Sequence, residues 1–340
     1  MIELVRALAA RCDLLGIEAQ PLALLAIDSI LLAALAGGLV GRLERASNVA
    51  RWGSVRTLLA AGLVVVATVV ASATLLGAAR KLSATSLMAV HALALALLAA
   101  AESSRGERVG PRALARWARR PLAALAAPLR AVLAAEGWRR GRRSQTALLA
   151  AILGVLGFYL VLALFTPPLN WDSNTYRLSR VALWLQEGSL EHIPTNEARQ
   201  NWVGQNAELV MLWLTGFFRR EYPLVKLAQY GGGILACLAV HQLAGWLGMS
   251  RLWRLVGAAA LVGMPTVATQ FISSQTDLFT AGCLAAGLAF LPAALSGPRR
   301  GEWLLVGAGY GLALGAKATV LYWAPGLALL VAGWAWTERA

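Results

Sequence analysis

The chain has 340 residues, of which 58% are hydrophobic and only 14% are charged, and its mean hydropathy is +0.61. This composition excludes an ordinary soluble protein and predicts an all-α, polytopic membrane protein. The net charge of +14 does not predict a nucleic-acid partner, because the basic residues lie in short connectors between apolar runs, as membrane topology requires. The three cysteines, Cys12, Cys237 and Cys283, show neither a disulfide framework nor metal-ligand spacing.

Residues 1–102 form the first predicted region, with an amphipathic interface helix over Met1–Gln20 and three spanning helices after it. The three spans are Pro21–Gly41, Thr57–Ala79 and Ala84–Ala101. Asp28 lies inside the first span, and because a carboxylate is costly in lipid, we expect it to face other helices. We expect His91 in the third span to hydrogen-bond between helices rather than to serve a function.

Residues 103–144 are an arginine-rich block that the positive-inside rule places in the cytoplasm. Its apolar residues predict short amphipathic helices on an anionic leaflet: Leu114, Leu122, Leu125, Leu129 and Leu133. The block separates the N-terminal region from a transmembrane core over residues 145–340.

The core begins with a span at Gln145–Thr166, which delivers a large loop, residues 167–222, to the opposite face of the membrane. Four further apolar stretches follow: Pro223–Leu247, Leu255–Ile272, Leu278–Leu295 and Trp303–Trp336. The last is too long for one untilted span, so we expect a helix to about Ala316, a break near Lys317 and a return helix. The chain ends abruptly after this helix, which predicts a fragment or a truncated product.

The short apolar segment Gly204–Phe218 decides the topology of the loop. If this segment crosses the membrane, Asp172 and Asp277 lie on opposite sides. If it lies at the interface, they share the outer side. We favour the interface, because a segment this short with polar ends spans poorly.

The stretch from Asn170 to Glu208 is polar without being arginine-rich or alanine-rich, a mixture that a simple connector does not need. Asp172, Tyr176 and Arg180 recur every four residues and predict the polar face of an amphipathic helix. The opposing apolar face is predicted to consist of Leu178, Val181, Ala182 and Leu185, with Trp171 and Trp184 at the headgroup level.

Most of the charged residues of interest also have a simpler interpretation. Asp172 and Asp277 are both placed to cap the helices that follow them. Arg177, Arg180 and Lys317 are residue types that snorkel at membrane interfaces. The cluster Arg199-Gln200-Asn201 has no such explanation and suits phosphate or sugar hydroxyls.

The order of these features resembles the GT-C superfamily of membrane glycosyltransferases, in the branch of protein O-mannosyltransferases and aminoarabinose transferases. The matching features, over about residues 145–336, are Asp172 with Tyr176 after an outgoing span, the segment Ala207–Phe218, Pro223-Leu224, Asp277, and Lys317 after a glycine-rich helix. The resemblance is one of pattern and order. Ser173 follows Asp172 where the family often has a second acidic residue, which leaves metal involvement open.

The resemblance implies an inverting transfer of a sugar from a polyprenyl-phosphate donor to a glycan, lipid or protein acceptor outside a bacterial-type plasma membrane. It implies Asp172 as the catalytic base that deprotonates the acceptor hydroxyl. Lys317 and the arginines are implied to stabilise the departing lipid phosphate. The full set of implied substrate-binding residues is Tyr176, Arg177, Arg180, Arg199, Gln200, Asn201, Glu208, Asp277 and Lys317.

Two other functions stay open at this point. A transporter or flippase of a lipid-linked precursor also uses glycine-rich and broken helices, but it predicts internal repeats and charges near the bilayer midplane. The sequence shows no internal repeat, and its charges lie mainly at helix ends. A structural membrane subunit without a site would have no use for the polar central stretch.

Overall fold

The computed structural model of the protein describes residues 19–106, 108–134, 138–139, 142–218, 223–297 and 299–337. The predicted interface helix at the N-terminus, Cys12, Arg219 and Arg220 lie outside the described residues. Within the described ranges the chain is helical and contains no strand.

The helices of the first half follow the apolar runs of the sequence. They are α1 (Ala19–Ala46), α2 (Ser54–Ala78), α3 (Ala84–Ser103), α4 (Pro111–Leu133) and α5 (Arg143–Phe165). The loop between α5 and the next long helix contains a π-helical turn (Ser173–Arg177), α6 (Leu178–Glu187), α7 (Arg199–Trp202) and α8 (Asn206–Thr215).

A 3₁₀ turn (Pro223–Val225) opens the second half. The helices after it are α9 (Lys226–Trp246), α10 (Arg251–Gly263), α11 (Pro265–Phe271), α12 (Asp277–Leu288), α13 (Leu291–Leu295) and α14 (Arg300–Ala316). A second 3₁₀ segment (Ala318–Trp323) leads into α15 (Ala324–Thr337).

Six segments among the described residues are long and apolar enough to cross a membrane, which supports a multi-pass membrane protein. They are Ala19–Ala46, Ser54–Ala78, Ala84–Ser103, Arg143–Phe165, Asp277–Leu295 and Ala318–Thr337. The expected break near Lys317 is confirmed, since α14 ends at Ala316 and Lys317 has extended backbone angles.

The apolar stretch Leu255–Ile272 is not one continuous helix. The helices α10 and α11 meet at an angle of 73°. Met264 between them is extended (ψ 124°), and Pro265 begins α11. Proline disfavours the helical conformation of the preceding residue and lacks the N–H that would continue the helix, so the bend falls at this dipeptide.

In the described part of the arginine-rich block, residues Pro111–Leu133 form one continuous helix, α4, rather than several short ones. Leu114 packs towards α1. The other four leucines of the predicted apolar stripe are exposed: Leu122, Leu125, Leu129 and Leu133. This exposed stripe is consistent with a membrane-surface helix, and its contact with an anionic leaflet stays a prediction.

The helix α14 runs between the two ends of the bundle. At its start, Gly301 touches the backbone of Leu43, where α1 ends, and Arg56 donates a 2.9 Å hydrogen bond to Glu302. At its finish, Gly315 accepts a 2.8 Å hydrogen bond from the Gln205 backbone N–H. We call the first end the basic end, because α4 lies there through its Arg120–Glu44 ion pair, and the second end the loop end.

Glycines bring the central helices α9, α12 and α14 unusually close together. A Cβ at Gly282 of α12 would lie 2.0 Å from the Gly232 carbonyl oxygen of α9, and one at Gly309 of α14 would lie 2.6 Å from the Cys283 carbonyl oxygen. Only residues without a Cβ permit such backbone contact. Within the glycine run of α9, Gly232 makes this close approach, whereas Gly231 faces open space.

Asp28 and His91 form a polar network inside the bundle, as expected. His91 Nδ1 lies 2.9 Å from both carboxylate oxygens of Asp28, and its Nε2 lies 2.9 Å from Ser72 Oγ. Trp213 of α8 donates a 2.7 Å hydrogen bond to Asp28. Because Asp28 and His91 are fully buried and bonded to each other, this network ties α1, α2, α3 and α8 together.

Candidate functional site

Asp172 lies on the first helical residues after α5 and is partly exposed, with 41% of its side chain accessible. Its backbone is helical, and its side chain makes no capping hydrogen bond, so the interpretation of Asp172 as a cap is wrong. The π-helical turn that follows places Ser173 and Tyr176 in the interior while Asp172 stays at the surface. Such turns often occur at functional sites because they change the direction of side chains.

Arg199 at the start of α7 is the cationic partner of Asp172. Its Nη1 donates a 3.3 Å hydrogen bond to Asp172, and its Nε and Nη2 each donate a 2.8 Å bond to Glu197. The guanidinium also stacks on the Tyr176 ring, 4.6 Å from the ring centroid. These contacts hold Asp172, Arg199 and Glu197 together as one charged group.

The pKa of Glu197 is lowered to about 2, chiefly by the side-chain hydrogen bonds that Arg199 donates. Those same bonds raise the pKa of Arg199. Glu197 therefore stays ionised at neutral pH and is a poor proton acceptor there. Asp172, held by one longer bond, has oxygen lone pairs left for a ligand.

Below this group, two arginines share one buried carboxylate. Arg177 and Arg180 lie 2.6 Å and 3.0 Å from Glu208 Oε1, and all three residues are buried. Arg180 also donates to the carbonyl oxygens of Val203 and Gly204 at 3.0 Å and 2.9 Å. Burial lowers the pKa of Arg180, and Glu208 opposes that shift.

This buried cluster corrects two sequence predictions. The predicted polar face is wrong, because Tyr176 and Arg180 point into the protein, and so is the snorkelling interpretation of Arg177 and Arg180. Trp184 is buried, with the Arg180 guanidinium over its ring. The expected apolar face does pack, since Leu178 and Val181 belong to the main hydrophobic core.

Asp277 and Lys317 form the second charged pair of the loop end. Lys317 donates a hydrogen bond to Asp277, and both side chains are partly exposed, at 37% and 45%. Asp277 is the first residue of α12, and the capping position belongs to Thr276, so the capping interpretation is wrong here as well. Lys317 is ion-paired rather than simply snorkelling.

Backbone contacts join the two charged pairs. Gly204, whose carbonyl oxygen Arg180 binds, touches the backbone of Gly315 and Ala316 directly before Lys317. Asn206 then donates a 3.0 Å hydrogen bond to the Leu312 carbonyl oxygen. Asp172 and Asp277 therefore lie at the same end of the bundle, each beside its own cation.

The segment Gly204–Phe218, on which the predicted topology depends, contains the helix α8. This helix has only ten residues and is about 15 Å long, half of the hydrocarbon thickness. It does not lie on a lipid surface either, because every residue from Ala207 to Thr215 is buried. It enters the bundle at Asn206 and reaches Asp28 through Trp213.

Two of the predicted binding residues hold the loop in shape. Gln200 donates to the Thr175 carbonyl oxygen and to Ser179 Oγ, at 3.3 Å and 2.9 Å. Asn201 forms two 2.9 Å hydrogen bonds with the backbone of Ile193. The charged side chains that stay partly exposed to a ligand are Asp172, Arg199, Asp277 and Lys317.

Sequence reasoning missed Glu197 and the ion pair between Arg80 and Glu191. Glu197 shares a short segment with Arg199, a spacing that signals a local ion pair. Arg80 and Glu191 are joined by two 2.7 Å hydrogen bonds across 111 positions of sequence, and no local signal reveals such a contact.

Exposed aromatic residues lie next to the charged residues in sequence. Trp171 precedes Asp172, Trp202 ends α7, and Tyr322 follows Lys317 by five positions, with exposed fractions of 74%, 86% and 83%. Tryptophan and tyrosine favour the membrane–water interface. This pattern is consistent with a site at the level of lipid headgroups.

The described residues contain no group of three or more His, Cys, Asp or Glu side chains placed to hold a metal ion. No family model, curated protein or solved structure matches the chain. Membership of the glycosyltransferase superfamily therefore stays a prediction.

Proposed function

We propose that the protein is a membrane glycosyltransferase that moves a sugar from a polyprenyl-phosphate donor to an acceptor outside the membrane, with inversion at the anomeric carbon. The observation that carries the proposal is the geometry of Asp172. It is a partly exposed carboxylate that one arginine orients, on a helix whose inner side is held by buried ion pairs. A second carboxylate–cation pair, Asp277 with Lys317, lies at the same end.

In the proposed reaction, Asp172 accepts the proton of the acceptor hydroxyl while that oxygen attacks the anomeric carbon of the donor sugar. The bond from this carbon to the lipid-phosphate oxygen breaks, and the phosphate leaves with the bonding electron pair. Negative charge grows on the departing phosphate, and Arg199 and Lys317 are the exposed cations that stabilise it.

Each cation already has a carboxylate partner, so the phosphate has to compete for it. On Arg199 the weaker contact is the single 3.3 Å hydrogen bond to Asp172, whereas Glu197 holds the guanidinium by two 2.8 Å bonds. Asp172 is therefore the carboxylate that is released to serve as base, and its release leaves Nη1 of Arg199 for the phosphate while Glu197 stays the counter-ion.

The test is sugar transfer by membranes that contain the full chain, supplied with radiolabelled polyprenyl-phosphate hexoses and pentoses. We expect transfer to lipid, glycan or protein, and we expect Asp172→Asn to lower its rate by about 100-fold or more, since general-base catalysis contributes that much. Glu197→Gln is the matched control, and its rate is expected to stay within about 10-fold of the wild type.

Two results would contradict the proposal. If wild-type membranes transfer no label from any of these donors, the protein is not this kind of enzyme. If transfer is seen and Asp172→Asn preserves it in full, the base is another group.

The alternative function, a transporter or flippase, draws support from the buried ionisable pair Asp28–His91, because such residues often mark proton pathways. In this chain the pair is fully enclosed and bonded to Ser72 and Trp213. Those bonds favour a role in helix packing, so we keep the enzyme as the proposal.

A further inference from the structure

A cleft of about 480 Å³ opens at the loop end beside the proposed active site. Its walls come from the α2–α3 connection, α6, the segment after α6 and α7. The lining residues that matter for recognition are Arg80, Trp184, Glu187, Glu191, His192 and Gln200.

The side chain of Gln200 lines this cleft, and the orientation of its amide is fixed. Its Nε2 donates to Thr175 and Ser179, and the Thr175 carbonyl oxygen can only accept, so the amide cannot be flipped. Its Oε1 has no hydrogen-bond partner among the described residues, and the whole residue is only 8% exposed. A buried acceptor without a partner is unfavourable, so a ligand O–H or N–H that reaches it is bound favourably.

The walls of the cleft are built by interactions that do not involve Gln200. Asn201 holds Ile193 by two backbone hydrogen bonds, and the Leu82 N–H donates a 2.9 Å bond to the Gly188 carbonyl oxygen. The bidentate pair of Arg80 and Glu191 closes one side. The cleft is therefore shaped without a ligand, as small-molecule sites usually are.

The charge of the lining disfavours anionic ligands. Glu187 and Glu191 face the cleft, and Arg80 neutralises only Glu191. One carboxylate of the lining is thus in excess over its one arginine. Apolar side chains of Leu183, Ile193 and Pro194 complete the lining and suit the C–H faces of a sugar ring.

The cleft is linked to Asp172 through Gln200. Gln200 follows Arg199, the partner of Asp172, and it binds the carbonyl oxygen of Thr175, one helical turn after Asp172. Asp172 and Arg199 are not among the residues that line the cleft, so the link to the proposed base runs through Gln200 alone.

We propose that this cleft binds the acceptor and that the acceptor is a saccharide without negative charge, neutral or amine-bearing. The assignment of the bound sugar as acceptor rests on the proposed glycosyltransferase function. The saccharide site itself rests on the free acceptor of Gln200, the excess carboxylate and the shape of the cleft.

The experiment measures binding without donor, so that it does not depend on transfer. Saturation-transfer NMR of the full chain in detergent micelles is run with neutral and amino methyl hexosides and pentosides, and with methyl uronides. We expect signals from neutral or amino glycosides at millimolar concentration, and binding at least 10-fold weaker for the uronides. Gln200→Met, which removes the acceptor oxygen at similar size, should weaken binding about 10-fold, whereas Gln186→Met on the exposed side of α6 should leave it unchanged.

Glu187→Gln is a second probe, at an exposed position where folding is not at risk. This substitution should reduce the difference in binding affinity between neutral glycosides and uronides. The proposal is overturned if no glycoside binds, if uronides bind as well as neutral sugars, or if Gln200→Met behaves like Gln186→Met. If binding follows this pattern but the protein transfers no sugar, the saccharide site is supported and the proposed enzymatic function is rejected.

Discussion

Replacing Glu208 by glutamine is expected to destabilise the protein by about 3–5 kcal/mol. The substitution leaves Arg177 and Arg180 buried without their shared carboxylate, and both guanidiniums sit within 3.0 Å of it. Removing one partner of a buried ion pair costs this much because the remaining charge stays out of water. The free energy of unfolding in mixed micelles, compared between wild type and variant, measures the effect.

The matched control is Glu197→Gln. It removes a carboxylate that also pairs with an arginine of the same loop, but Glu197 and Arg199 are exposed by 32% and 44% of their side chains. Exposed pairs contribute about 1 kcal/mol or less. Equal effects of the two substitutions would show that Glu208 is not buried between the arginines.

The second large effect is expected for Gly282→Ala on α12. The added Cβ would lie 2.0 Å from the Gly232 carbonyl oxygen, and because this neighbour is backbone, the helices α9 and α12 have to move apart. We expect a loss of about 3 kcal/mol, the upper range for an overpacked core. The loss is measured as the same free energy of unfolding.

Gly231→Ala supplies the control within the glycine run of α9. An added Cβ there meets nothing within 4 Å, and alanine is the better helix former, so the substitution should be neutral or slightly stabilising. A Gly282→Ala protein as stable as Gly231→Ala would contradict the close packing of the two helices.

Much of the helical framework could be predicted because hydrophobic length is a strong signal in membrane proteins. The first four spans and the break at Lys317 follow directly from apolar runs and from single residues that interrupt them. The bend at Met264–Pro265 falls at a proline inside an apolar stretch. That stretch is long enough to predict one continuous helix, so the proline alone did not reveal the bend.

The sequence indicated which residues of the central stretch carry chemistry better than it indicated their positions and roles in the structure. The polar composition of the central stretch identified Asp172, Arg199 and Gln200, yet periodicity placed Tyr176 and Arg180 on an outer face. A π-helical turn changes the angle between successive residues, so spacing by four no longer defines one side of the helix. The buried pairing with Glu208 then depends on how α8 packs, which local sequence does not encode.

The most direct test of the account is the sidedness of the loop end. Single cysteines at Asn174, Ser273 and Ser104, in a protein whose three native cysteines are replaced, report on Asp172, Asp277 and the basic end respectively. Ser273 and Asn174 lie at the loop end, and Ser104 ends α3 beside Glu102, whose partners are Arg42 and Arg45.

We expect a membrane-impermeant maleimide to label Asn174→Cys and Ser273→Cys in intact cells and to label Ser104→Cys only after permeabilisation. Labelling of only one of the first two would separate the carboxylates and contradict a shared site. Labelling of Ser104→Cys alone in intact cells would place Asp172 in the cytoplasm, where the proposed donor sugar does not lie.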